Sequence, residues 1–221
     1  MKKKKTPVLT RGFYTAISYI SPRLNTKLLF YRKFGRFPDL KAPKTLNEKL
    51  LKLKLEKFGT DELVRLCADK YRVREFVTQR GCENTLNTLY GVYSSPKDID
   101  FDALPDSFAV KWNFGCGYNI ICPNKSKLNR KSVVKKLSKW KRAPFWAYYS
   151  ELQYKNINKA LIVEEYIGDS EGNPPEDYKF YCFDGEAYCV MLCEGRKEGW
   201  PKFYFFDRNF NLLRINRDSK E

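Results

Sequence analysis

Between Phe108 and Ile121 the chain reads Phe-Ala-Val-Lys-Trp-Asn-Phe-Gly-Cys-Gly-Tyr-Asn-Ile-Ile, and this stretch restricts the fold more than any other. Two short apolar runs flank two glycines set one residue apart, which predicts a strand, a tight loop and a second strand. Gly115 and Gly117 let backbone N–H groups come close to an anion, and Lys111, leaving the first strand, is placed to neutralise one of its charges. An ordinary hairpin with a bulge satisfies the same pattern. The surrounding sequence has to decide between a plain turn and a phosphate-sized loop.

Charge narrows the partners. The 221 residues include 42 Lys plus Arg against 26 Asp plus Glu, a formal net charge of +16. Such an excess points towards nucleotides, nucleic acid, acidic polymers or an anionic membrane surface. The basic residues are dispersed, and no RNP, zinc-finger or helix-turn-helix signature is present, so no nucleic acid is expected. The clusters Lys2 to Lys5 and Lys135 to Arg142 read as a solvated tail and a helix face, either of which can lean on anionic lipid or polymer as a peripheral contact.

The chain contains no histidine. This removes Ser-His-Asp and Cys-His nucleophilic catalysis, leaving carboxylates, lysines, backbone dipoles or a bound metal for any reaction. Seven cysteines without C-x-x-C spacing do not describe a zinc site. Several lie in apolar runs, as in Tyr188 to Cys193, where a thiol behaves as a small buried hydrophobe, and a reducing, cytoplasmic setting follows. No run approaches ~18 apolar residues and no cleavable leader is evident, so no membrane span is expected.

Along the chain, Thr10 to Phe37 predicts one or two amphipathic helices, and Thr45-Leu46-Asn47-Glu48 opens another that Gly59 ends. Further helices are expected from Asp61 to Cys67 and from Asp69 to Gln79. Leu86 to Tyr93 reads as a strand ahead of the Lys111 hairpin, and Leu128 to Tyr154 as helix broken at Pro144. Ala160 to Ile167 is an apolar strand followed by a turn-rich segment, Gly168 to Pro175. Strands then cover Tyr178 to Phe183, Ala187 to Cys193 and Phe203 to Phe206, with Asp184-Gly185 as a hairpin turn between the first two. Leu212 onward has little left to pair with. The fold class is α+β. Three parts are expected: an N-terminal helical segment over residues 1–60, a first lobe over 61–160, and a linker strand with a short second lobe over 161–221.

Four segments occur in order: Ala68-Asp69-Lys70-Tyr71-x-Val73-Arg74-Glu75, the Lys111 glycine loop, Ile162-Val163-Glu164-Glu165-Tyr166, and Asp177-Tyr178-Lys179-Phe180-x-Cys182-Phe183-Asp184-Gly185. Together they resemble the ATP-grasp superfamily. With Pro43 to Leu50 and Ile99 to Pro105 upstream, the chain is similar to its TupA-like branch, named for teichuronopeptide synthesis and found among bacterial surface-polysaccharide genes. The resemblance runs from about Leu24 to Arg196.

It implies an ATP-grasp-like two-lobe architecture in which ATP, with Mg²⁺, converts a carboxylate to an acyl phosphate that an amine or thiol then attacks. Carried over by motif, Lys70 and Arg74 face the phosphates from the first helix of the lobe, and Lys111 contacts the nucleotide from its strand. The loop from Asn113 through Gly115 to Gly117 closes over the phosphates with backbone donors. Glu164, Glu165 and Tyr166 take the adenine edge and the ribose. Asp177 and Lys179 share a face of the next strand, available to phosphate, metal or acceptor, with Phe180 and Cys182 turned to the core. Lys179 and Arg196 are the candidates nearest the chemistry.

Two departures stand out. Phe114 and Cys116 occupy the loop where the family has something closer to His-Gly-Ser-Gly. The chain also stops before the late strands whose carboxylates and Asn hold Mg²⁺ in the family, and Asp207, Asn209, Asn216 and Asp218 are its only late candidates. Three readings stay open: a carboxylate–amine ligase acting on a surface polysaccharide or its precursor, a non-catalytic member that binds nucleotide or polymer, and a glycosyltransferase-associated protein that holds acidic glycan on its basic surface.

Overall fold

The computed structural model describes residues 8–168, 173, 175–195 and 199–220. Its helices and strands follow, in chain order, as α1 (Val8–Ile20), α2 (Pro22–Phe34), α3 (Leu46–Glu56), α4 (Glu62–Ala68), α5 (Val73–Thr78), β1 (Leu89–Tyr93), β2 (Phe108–Trp112), β3 (Asn119–Cys122), α6 (Arg130–Lys141), α7 (Phe145–Tyr149), β4 (Leu161–Glu164), β5 (Asp177–Phe183), β6 (Glu186–Glu194), β7 (Lys202–Phe206) and β8 (Leu212–Leu213). With helices and two antiparallel sheets, the chain is α+β.

Local chemistry sets most of these limits. Ser21 starts α2 by accepting a hydrogen bond from the Leu24 amide at 3.1 Å, with Pro22 in the first turn, and Gly35 ends it at φ 70°. Thr45 and Glu48 form a reciprocal capping box at the start of α3. Glu48 also accepts from Arg36 at 2.7 Å and from the Asp39 amide at 3.2 Å, so one buried carboxylate ties the α2–α3 connection to the helix it opens.

The backbone divides into two compact units, the first ending at Tyr166 and the second starting at Ile167. In the first, four antiparallel strands lie in the order β1-β4-β2-β3. Strand alternation gives this sheet two different faces. Phe108, Val110 and Trp112 of β2, Leu161 and Val163 of β4 and Cys122 of β3 pack with Val133 and Leu137 of α6 in one buried core. The Trp112 indole donates to the Leu137 carbonyl at 3.1 Å, so the largest core side chain leaves no orphaned N–H. The opposite face carries Ala109, Lys111, Ile162 and Glu164.

The described part of the expected helical segment, residues 8–60, does not separate from this unit. Ser18 of α1 and Ser150 just after α7 share a hydrogen bond of 2.7 Å, and Asn25 of α2 donates to the Ser150 hydroxyl at 2.9 Å and to the Tyr148 carbonyl at 3.0 Å. These buried hydrogen bonds hold α1 and α2 on α7. The expected division at residue 160 also moves, because β4 is an inner strand of the first sheet and its ladder to β1 and β2 keeps it there.

Two local expectations change as well. The helix expected from Asp69 to Gln79 begins only at Val73, because the Asp69 carboxylate accepts from the Tyr71 and Arg72 amides at 2.9 and 3.2 Å and makes a turn there. Strand β1 begins at Leu89 rather than Leu86, after a 3-10 turn over Glu83–Thr85.

The second unit is a meander in the order β5-β6-β7-β8. Asp184 and Gly185, at φ 51° and 80°, make its first turn. Val190, Met191 and Cys193 of β6 are buried. Phe180 and Cys182, expected to face a core, are exposed, since β5 is the edge strand and is accessible along almost its whole length. The final segment does find a partner: Leu212 and Leu213 pair with Phe206 and Phe205. Of the cysteines, Cys122 and Cys193 are buried, whereas Cys67, Cys82, Cys116 and Cys182 are exposed.

Candidate functional site

The site grows out of the sheet face opposite the core. In the ladder Lys111 stands opposite Ile162 and Ala109 opposite Glu164, so Lys111 and Glu164 are diagonal neighbours on one face. Their side chains form an ion pair, Lys111 half-buried and Glu164 nearly buried. Both sit at strand ends, where β2 runs into the glycine loop and β4 runs out towards Glu165 and Tyr166.

Lys70 reaches the same place from the turn between α4 and α5. Its ammonium donates to the Gly115 carbonyl, and its own amide bonds to the Asn113 carbonyl at 2.9 Å. Burial pulls its pKa below the usual lysine value; Lys111 adds to the fall, while Cys116, Asp69 and Glu164 work against it. Two lysines and a carboxylate thus converge beside the loop.

The loop is held from inside. Asn113 is 1% exposed and all its side-chain polar atoms are engaged: the amide group donates to Asp69 and to the Asn158 carbonyl, each at 2.9 Å, and its oxygen accepts from the Ala160 amide at 2.9 Å. The structure therefore places Asn113 as a clamp between Asp69, the loop and the approach to β4. Phe114 is likewise an anchor, its ring against Trp112 and Tyr118.

The glycines serve different ends. A Cβ on Gly115 would lie 2.6 Å from the Phe145 ring, so close packing of α7 requires glycine there, at φ 68°. Gly117, at φ 74°, has open space around it. Among the described residues none accepts a hydrogen bond from the Gly115, Cys116 or Gly117 amides. Unpaired donors in left-handed turns are the usual ingredients of an anion-binding concavity.

The remaining sequence candidates form two further groups. Arg74 on α5 is turned to Asn87, donating to its side-chain oxygen at 3.0 Å and its carbonyl at 2.6 Å. Asn87 in turn donates to the Glu165 carbonyl at 3.2 Å, and the Glu165 carboxylate accepts from the Thr88 hydroxyl at 2.9 Å. Arg74 and Glu165 thus brace the segment leaving β4. Asn87 and Thr88, absent from the sequence reading, are the residues that join them, and their only signal is a polar pair immediately ahead of β1. Asp69 escaped notice in the same way, although it stands beside Lys70.

In the second unit Asp177 and Lys179 share one face of β5 and form an ion pair. Arg196 lies outside the described residues. Among the described residues no group of three Cys, Asp or Glu side chains is gathered to hold a metal ion. Both late carboxylates are committed to the meander: Asp207 accepts from the Asn209 and Asn211 amides at 2.8 and 2.9 Å, and Asp218 accepts from the Phe203 amide at 2.9 Å; Asn216 donates to the Phe203 carbonyl at 2.7 Å, its own side-chain oxygen lying buried without a partner in the protein. These residues do not fit a Mg²⁺ site. No described helix is long and apolar enough to cross a membrane.

A family model described as TupA-like ATPgrasp matches residues 48–220, which is most of the chain. The match begins at the buried Glu48 and takes in both sheets. No curated protein and no solved structure matches the chain.

Proposed function

The chain belongs to the TupA-like ATP-grasp family, and from that premise we propose that it binds ATP at the Lys70–Lys111 loop and serves an ATP-dependent carboxylate–amine ligation in the making of a bacterial surface polysaccharide or teichuronopeptide. The observation that carries this reading is the convergence of two lysines from separate elements on a glycine loop with free amides. ATP supplies the phosphoryl group that activates the carboxylate as an acyl phosphate, which an amine then attacks. The chain's own contribution is electrostatic. Lys70 and Lys111 offset phosphate charge, and the loop amides stand ready oriented, so little reorganisation is required as charge shifts. Glu164 keeps Lys111 extended along the sheet face, and Glu165 and Tyr166 leave β4 where an adenine edge and a ribose would be met.

The second reading, a nucleotide- or polymer-binding member without turnover, is favoured by one observation: the Asp207 and Asp218 carboxylates already accept backbone amides of the meander itself. No metal-dependent step is assigned to these residues. Acidic polysaccharide, or its precursor, is the partner that the positive charge suits, at the inner face of the membrane and in the cytoplasm, where a basic surface meets anionic lipid.

Isothermal titration with a non-hydrolysable ATP analogue, with and without Mg²⁺, tests the common part. Binding that Lys111→Ala weakens supports nucleotide recognition at the loop, whereas no binding at millimolar analogue overturns it. ADP release that requires both a carboxylate and an amine establishes the ligase. Binding without such turnover selects the second reading.

A further inference from the structure

Away from the lysine loop, α2, α3 and the end of α7 border an open pocket of about 600 Å³, within the range of small-molecule sites, roughly 300–1,000 Å³. Its walls are chiefly apolar, from Leu29 and Phe30 of α2 and Leu50 and Leu51 of α3. Three cations line it, Arg32, Lys33 and Lys54, against one carboxyl group, Glu151. Thr26 also lines it, 1% exposed, with a hydroxyl that has no hydrogen-bond partner in the protein. A buried hydroxyl left unpaired costs stability unless something else engages it. Lys54 gives its hydrogen bond to the Tyr149 carbonyl at 2.8 Å rather than to Glu151, which leaves ammonium protons facing the cavity.

We propose that this cavity is a binding site for an amphipathic anion, an apolar chain or ring carrying a phosphate or carboxylate head. The leucines and Phe30 take the apolar body. Lys54 takes the head, and Arg32 and Lys33 add attraction. Such a ligand matches both properties of the walls, whereas a neutral chain leaves the cations unanswered and a bare anion leaves the apolar surface wet. The site stands apart from the nucleotide reading, since none of its lining residues belongs to the Lys70–Lys111 loop.

The titratable groups around Lys54 set the pH behaviour. Burial lowers its pKa to about 8, while Glu151 pulls the other way. Burial raises both Glu151 and Tyr149. A head group that needs the charged lysine therefore binds with steady affinity below pH 8 and progressively more weakly above it.

Calorimetry on the full chain with octyl phosphate, octanoate, inorganic phosphate, octylamine and 1-octanol tests this at pH 7 and pH 9.5. The expected result is binding of octyl phosphate or octanoate at least ~10-fold tighter than the other three, the tighter of the two identifying the head group, and an affinity falling at least ~5-fold at the higher pH, a tenfold change corresponding to about 1.4 kcal/mol. Lys54→Met should remove the pH dependence and leave binding of an ATP analogue unchanged. Octanol or octylamine binding as tightly as the anions, inorganic phosphate matching octyl phosphate, or Lys54→Met retaining full pH-dependent affinity each overturns the proposal.

Discussion

Glu164 reaches diagonally across the β4–β2 ladder to the ammonium of Lys111, so the charge beside the glycine loop is fixed by the register of two antiparallel strands. A shift of one residue in that register would send Lys111 into the core. On the proposed reading the same ammonium meets phosphate. Lys111→Ala should therefore weaken an ATP analogue by about 1–3 kcal/mol, the range for a hydrogen bond to a charged group, and should also lower the thermal midpoint, because it leaves the nearly buried Glu164 carboxylate without its partner. Titration calorimetry beside differential scanning calorimetry checks both halves.

Asn113 should behave in the opposite way. Its side chain satisfies Asp69, Asn158 and Ala160 from inside the fold. Asn113→Ala leaves buried polar groups without partners and should cost about 2–4 kcal/mol of stability. Denaturant unfolding measures that loss directly. A variant of wild-type stability with weakened nucleotide binding would instead show Asn113 touching the ligand.

The two loop glycines should separate under the same substitution. Gly117→Ala meets open space, so only the left-handed backbone opposes it, by about 1–2 kcal/mol. Gly115→Ala adds a collision with Phe145 and should cost about 2–4 kcal/mol, with the loop displaced. Unfolding midpoints of both variants give the order, and Phe145→Ala combined with Gly115→Ala should recover part of the difference.

Acid should loosen the α2–α3 connection first. Arg36, then the Thr45 and Asp39 amides, hold the Glu48 carboxyl well below its ordinary value of 4.5. Because the folded value is the lower one, Glu48 stabilises the fold fully above about pH 4.5, and that contribution fades as pH falls further. Glu48→Gln should lower the thermal midpoint at pH 7 and flatten its decline between pH 5 and pH 3. An unchanged acid slope would show that other carboxylates govern it.

Much of this was readable from the residues. The alternation in Phe108 to Trp112 and Ile120 to Cys122, the capping box at Thr45 and Glu48, Pro144 between α6 and α7 and the Asp184-Gly185 turn are each determined by chemistry within a few residues. The family is legible for the same reason, since its motifs are short and ordered along the chain. The departures at Phe114 and Cys116 were visible too, although their surroundings were not: Phe114 is buried, Cys116 is exposed, and the glycine between them is required by a ring about thirty residues further on.

The sequence by itself determined the α+β class, the hairpin around Gly115 and Gly117, the excess of positive charge and the absence of histidine chemistry, all of which rest on side-chain type and local backbone preference. Only the tertiary structure decided that β4 belongs to the first sheet, that Asn113 faces inward, that Arg74 is spoken for by Asn87, and that Thr26 and Lys54 line one cavity. These depend on contacts between residues far apart in the chain. Which partner a buried polar group finds is settled by how whole elements pack, and no local pattern encodes it.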